Sequence, residues 1–259
     1  MNRTAAQKSV FISGGGAGIG RETARQFAAA GWRVGLGDVD AEALAQTQSM
    51  IGASCETVVL DVTDPAQWQD GLATFCGAGG LDLLVNNAGV LSAGPFESIP
   101  LAAHRRLIDI NVTGVINGCH CALPWLRKAP DPRLINIASA SAIYGQPDIA
   151  TYSASKFAVR ALTEALDIEW ARHGVQVSAL WPIFVRTAMV DNAPEMRATQ
   201  KLGVHLKPED VASVILKTAQ SRRPALHIPV GPQAGLLRTL IGVVPDRIAS
   251  RLVAHFAGY

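Results

Sequence analysis

The sequence predicts an α/β fold class, a doubly wound sheet of about seven parallel strands with helices on both faces. Three observations predict it. Apolar runs are short and continuous, as expected for strands buried on both faces of a parallel sheet. Segments with helical spacing separate them. The alternation runs through all 259 residues without repeats, charge runs or a linker, which argues for βαβ units in a single domain over 1–259.

The elements follow in order. "SVFIS" (9–13) reads as the first strand, and the glycine-rich "SGGGAGIG" leads from it into the helical "RETARQFAAAG". "RVGLGD" (33–38) is the second strand, followed by the helical "AEALAQTQSMIG" that Gly52 ends. "TVVLD" (57–61) and "LDLLVN" (81–86) are the third and fourth. An apolar helical stretch, "GVINGCHCALPWL", precedes the fifth, "RLINIAS" (133–139), and the long helical pattern "TYSASKFAVRALTEAL" follows it. "VQVSAL" (175–180) and "ALHIPV" (225–230) complete the set. Residues 182–206, with two prolines, two methionines and no clear period, read as a mobile substrate loop with short helices. The tail from about 232 to 259 has aliphatics at helical intervals broken by Pro245, a docking helix pair that closes the core or a subunit contact.

Composition excludes several classes. With 49% hydrophobic and 17% charged residues the chain can bury a sizeable core. Its 23 basic and 21 acidic residues are spread along the chain, so no basic face for nucleic acid is expected. "MNRTAAQKSVFIS" lacks the apolar run of a secretory signal, and no segment approaches about 18 unbroken apolar residues, so no membrane span is expected. Cys119-His120-Cys121 lacks the two-residue gap and second ligand pair of a metal site. The four cysteines therefore read as core thiols, with no metal, in a reduced, cytoplasmic protein.

The glycine segment does not fit the G-x-G-x-x-G pattern; its usable glycines are Gly14, Gly18 and Gly20. Lying between a strand and a helix, it would offer free amide groups and a positive dipole end to an anion, although a plain turn accounts for it equally well. Asp38 ends the second strand 20 residues after Gly18, where an acidic residue would meet the adenosine ribose of a dinucleotide. A carboxylate there accepts from a diol and repels a 2′-phosphate, and neither Ala17 nor Val39 offers a cation. That favours NAD over NADP. Asp61-Val62, ending the third strand, and Asn87, Ala88 and Gly89, ending the fourth, fall on the same carboxyl edge of the sheet. Asp61 could accept from the adenine amino group.

Tyr152 and Lys156 stand four apart at the start of a helical pattern, hence on one face, with the ammonium placed to favour a tyrosinate. Lowering a phenol toward neutrality makes it a useful proton donor and acceptor. Ser139 ends the fifth strand 13 residues earlier, and Asn111 lies in "DINVTG", within the preceding helix.

From its first strand to at least Thr187 the sequence resembles the short-chain dehydrogenase/reductase family. The resemblance rests on S-G-x-x-x-G-x-G, D-V, N-N-A-G, N-V-T-G, Ser139 and Y-S-A-S-K in order. It implies a Rossmann-type sheet and a catalytic tetrad of Asn111, Ser139, Tyr152 and Lys156. Tyr152 would be the acid/base, Ser139 would bond the reacting oxygen, Lys156 would tune Tyr152 and hold the nicotinamide ribose, and Asn111 would anchor a proton-relay water. Cofactor contacts would come from Ser13, Gly14, Gly18, Ile19, Gly20, Asp38, Asp61, Val62, Asn87, Ala88, Gly89, Tyr152, Lys156, Pro182, Val185 and Thr187. Ser13 stands where the family usually has threonine, and Ile183 where it has glycine; the latter stiffens the backbone and fills space beside the nicotinamide.

The expected function is NAD(H)-dependent interconversion of a hydrophobic secondary alcohol and its ketone. The expected pocket residues are Ala140, Ile143, Tyr144, Ile183, Phe184, Met189 and Met196. Alternatives are an NADP(H)-dependent carbonyl or 3-oxoacyl-type reductase and a non-catalytic dinucleotide-binding regulator. An α/β hydrolase is disfavoured because no G-x-S-x-G elbow occurs. The resemblance also implies a homodimer or homotetramer, joined through the helices that hold Asn111 and Tyr152, with Trp125 and Trp170 at hand.

Overall fold

The computed structural model describes residues 7–193 and 196–259. The strands are β1 (Ser9–Ser13), β2 (Arg33–Asp38), β3 (Cys55–Val59), β4 (Leu83–Asn86), β5 (Arg133–Ile137), β6 (Gln176–Pro182) and β7 (His227–Val230). All pair in parallel, in the order β3-β2-β1-β4-β5-β6-β7. The order reverses between β1 and β4, and a crevice forms beyond the carboxyl ends of these two strands. The helices are α1 (Gly18–Ala29), α2 (Ala41–Ile51), α3 (Pro65–Cys76), α4 (Leu101–Ile108), α5 (Gly114–Leu126), α6 (Ala150–Trp170), α7 (Ala188–Asp191), α8 (Arg197–Leu202), α9 (Pro208–Gln220), α10 (Pro232–Ile241) and α11 (Asp246–Ala257).

Alternation along the strands supplies two cores. Val10 and Ile12 of β1 face Phe27 of α1, Leu44 of α2 and Ile215 of α9. Phe11, between them, faces Trp68 and Phe75 of α3 and the layer of α5 and α6. Its ring lies 5.9 Å from that of Trp68 and 5.7 Å from that of Phe75. Truncating such a side chain to alanine costs about 3–5 kcal/mol.

Helix starts follow local chemistry. Asp40 caps α2 by accepting from the Ala43 N–H at 2.9 Å, and Asp64 caps α3 with Pro65 in its first turn. β5 stops at Ile137, two residues before the expected end, because the chain there turns into a short 3-10 segment, Ala140–Ala142, capped by Ser139. The expected loop region carries α7 and α8, and the tail forms α10 and α11 on either side of Pro245. α10 seats Ala234 in the core, and α11 packs on α8. Trp170, expected near a subunit contact, is instead buried in the core. All four cysteines are buried and unpaired, and burial pushes the Cys119 thiol up to about 12. No helix among the described residues is long and apolar enough to cross a membrane.

Candidate active site

The carboxyl ends of β1, β2, β4, β5 and β6, with the starts of α1 and α6, bring most of the motif residues to one cleft of about 320 Å³. Gly14, Gly18, Ile19, Asp38, Asn87, Ala88, Gly89, Ser139, Tyr152, Lys156, Pro182, Val185 and Thr187 all line it. A second cleft of about 730 Å³ shares Gly14, Asp38, Ala88 and Gly89 and adds Asp61 and Val62. It also brings in Arg105 and Arg106 of α4, a pair of cations that sequence spacing alone did not reveal.

Three predicted site residues stand behind the lining. The Ser13 hydroxyl accepts from the Asn87 and Ala88 N–H groups, both at 3.1 Å, and so ties the N-N-A-G turn to β1. Gly20 lies under the loop, where an added Cβ would sit 2.0 Å from the Gly14 oxygen. Asn111 is fully buried in a single π-helical turn, Asp109–Thr113, between α4 and α5. Its amide accepts from the Val90 N–H at 2.8 Å and donates to the Val90 carbonyl at 2.9 Å and the Ser155 hydroxyl at 3.2 Å. Gly16, which the spacing argument set aside, donates its N–H to Asp38 at 2.9 Å.

The chemical end of the cleft holds Ser139, Tyr152 and Lys156. Lys156 is buried, and its ammonium donates to the Ile137 carbonyl at 2.9 Å while standing 5.4 Å over the Tyr152 ring. Burial lowers Lys156 to about 8 and pushes the Tyr152 phenol up to about 12, with a hydrogen bond to Ser139 acting the other way on the phenol. Within the chain alone, then, the lowering of Tyr152 expected from Lys156 is opposed by burial. Desolvation disfavours the charged form of both groups, and the ammonium is turned to a backbone oxygen.

The pocket expectation also needs correction. Ile183, Phe184, Met189 and Met196 line the cleft, but Ala140 and Ile143 point into the core and Tyr144 faces a separate hollow beside α11. The 3-10 turn after Ser139 rotates them away. Leu91, Ile149 and Val190 line the cleft instead, brought from three separate segments that no sequence period connects.

The residues present fit a dinucleotide. α1 opens at Ala17 without a side-chain cap, so its first amide groups at Gly18 and Ile19 are left for an anion at the cleft wall. A carboxylate stands at one end, Asp38, and an ammonium at the other, Lys156.

Comparison with known proteins agrees. A short chain dehydrogenase family model matches residues 8–198. The 3-alpha-(or 20-beta)-hydroxysteroid dehydrogenase of Mycobacterium tuberculosis is 33% identical over 243 residues, covering 92% of this chain and 94% of that protein. Among solved structures, the 3-ketoacyl-(acyl-carrier-protein) reductase of Brucella melitensis, complexed with NADH, matches with a TM-score of 0.79 at 27% identity, covering 88% of this chain and 98% of that one. Levodione reductase matches with a TM-score of 0.80 at 28% identity and the same coverage. The chain belongs to the short-chain dehydrogenase/reductase family and is an oxidoreductase with that family's Rossmann-type fold.

Proposed function

We propose that the protein interconverts a hydrophobic secondary alcohol and its ketone with NAD(H). The observation that carries this reading is the lining of the cleft. Ser139, Tyr152 and Lys156 share it with Leu91, Ile149, Ile183, Phe184, Met189, Val190 and Met196, and among the described lining residues only Asp38 and Lys156 carry charge. An apolar wall beside a proton donor and acceptor suits an alicyclic alcohol, and the name of the mycobacterial relative points the same way. Such a wall discriminates by only about 1–3 kcal/mol per methylene, so several substrates are expected.

When bound, the oxidised cofactor supplies a hydride acceptor and a positive charge beside the phenol. Tyr152 takes the alcohol proton as a phenolate, its own proton having passed to solvent, or as a phenol gives its proton to the ketone oxygen, and Ser139 holds that oxygen. Lys156 binds the nicotinamide ribose hydroxyls, with its charge tempered by burial. Asn111, its amide committed to Val90 and Ser155, keeps the Gly89–Val90 backbone in place; the relay water implied by the resemblance would sit beside it. Val185 and Thr187 would hold the carboxamide, with Ile183 beside them in the cleft wall. Asp38 would hold the adenosine ribose. A homodimer or homotetramer would form through α5 and α6, which expose Ile116, Phe157 and Ile168.

A second reading, an NADP(H)-dependent carbonyl or 3-oxoacyl-type reductase, draws on Arg105 and Arg106, which line the same cleft as Asp38 and could hold a 2′-phosphate. Titrating NAD+ and NADP+ separately, then following reduced nicotinamide absorbance with a panel of secondary alcohols, separates the two. The expected result is tighter NAD+ binding, a gap that narrows in Asp38→Ala, and turnover lost in Tyr152→Phe with NAD+ binding kept. Tighter NADP+ binding would overturn the cofactor assignment; NAD+ binding without turnover on any alcohol or ketone would favour the regulator.

A further inference from the structure

Beside the cleft the chain ties its substrate loop to its last helix. Asp148, just before α6, is 7% exposed and has φ 65°, a left-handed conformation that costs energy in a non-glycine residue. Its carbonyl accepts from the Gly94 N–H at 2.8 Å. Its carboxylate accepts from the Tyr259 hydroxyl at 2.7 Å and lies 3.9 Å from the Arg197 guanidinium. That guanidinium also stands 4.5 Å over the Tyr259 ring. One turn along α8, Lys201 donates to the His255 carbonyl at 2.7 Å. Three segments far apart in sequence therefore meet on one buried carboxylate, which would be costly to leave without partners.

The clasp touches the cleft through its sequence neighbours. Ile149 follows Asp148, Met196 precedes Arg197, and both line the cleft. With Ala193 they form a small apolar cluster against Tyr152, Phe184 and Val190.

We propose that Asp148, Arg197 and Tyr259 form a clasp that sets the spacing between the Ile149 and Met196 walls, and so the size of alcohol or ketone the cleft accepts. Arg197 and Tyr259 are positioning residues, since neither lines the cleft. The proposal rests on the reading of the cleft as an alcohol/ketone site.

The test compares purified wild type, Tyr259→Phe, Arg197→Met and Arg197→Lys with NAD+ and two alcohols, cyclohexanol and the steroid alcohol androsterone. Loss of one hydrogen bond or ion pair in the clasp is expected to raise KM for androsterone about three- to tenfold. The kcat, the Kd for NAD+ and the KM for cyclohexanol, too small to span both walls, should stay within about twofold, and Arg197→Lys should restore most of the loss. Equal KM changes for both alcohols, or a fall in kcat in step with Tm, would overturn the clasp as a determinant of size. If the wild type oxidises neither alcohol, the proposed function falls, and amide hydrogen exchange judges the clasp by itself. Faster exchange across Ala188–Asp191 and Arg197–Leu202 in Tyr259→Phe supports it, and unchanged exchange overturns it.

Discussion

Replacing Asn111 with leucine tests whether this residue holds the backbone beside the cleft. The side chain is fully buried, and leucine keeps its branched heavy-atom skeleton, with bulkier methyl ends, while removing every polar atom. Ser155 keeps a partner, because its hydroxyl donates to the Tyr152 carbonyl at 2.6 Å. Val90 loses both of its bonds to the amide, at 2.8 and 2.9 Å. Each backbone group left unmade costs about 1–3 kcal/mol when buried, so two give roughly 2–6 kcal/mol. Val90 is only half-buried and water can reach part of it, which places the expectation at about 2–4 kcal/mol. Urea denaturation at one protein concentration should show a lower midpoint with an unchanged slope. Dinucleotide affinity should fall as well, because a Cβ at Gly89 would lie only 3.2 Å from the Asn111 oxygen and 3.7 Å from the Lys156 ammonium, so the three share one small volume. A loss below about 0.5 kcal/mol, the range of an ordinary surface substitution, would refute the reasoning.

Two further outcomes are expected. The ordinary value of Lys156, 10.5, falls to about 8 in the fold, so between those pH values the unfolded chain binds more protons and stability rises with pH. Urea denaturation at intervals from about pH 8 to pH 10 should show wild type gaining on Lys156→Met, and a constant difference would count against a buried ammonium. Gly20→Ala, whose Cβ would lie 2.0 Å from the Gly14 oxygen and 2.7 Å from the Asn87 amide nitrogen, should weaken NAD+ binding at least about tenfold by calorimetry. Gly145→Ala, with nothing within 4 Å, should leave binding as it is.

Much of the fold was legible because buried parallel strands advertise themselves as short apolar runs, and all seven runs became strands of one sheet, although their order across it, β3-β2-β1-β4-β5-β6-β7, is not their order along the chain. Boundaries were less legible: "TVVLD" pairs from Cys55 onward because β3 takes its register from β2, starting at Val34. The motif residues were legible for a different reason. Ser13, Gly14, Asp38, Asn87, Ser139 and Pro182 sit at or just past a strand's carboxyl end, and a parallel sheet brings all such ends to one edge; Tyr152 and Lys156 join them from the first two turns of α6. Pocket walls were the weak point, as Ala140, Ile143 and Tyr144 show: proximity to Ser139 along the chain says nothing about direction once a 3-10 turn intervenes.

By itself, then, the sequence determined which runs form buried strands, the glycine loop, the acidic end of β2 and the spacing of Ser139, Tyr152 and Lys156, because those depend on local periodicity and short-range geometry. Only the tertiary structure decided that Asn111 spends its amide on Val90 and Ser155, and that Arg105 and Arg106 share a cleft with Asp38. It alone brought Asp148, Arg197 and Tyr259 together. Protonation belongs with these. The charge states of Tyr152 and Lys156 follow from how much water packing removes around them, a property of neighbours contributed by β5, β6 and the substrate loop that no spacing within α6 encodes.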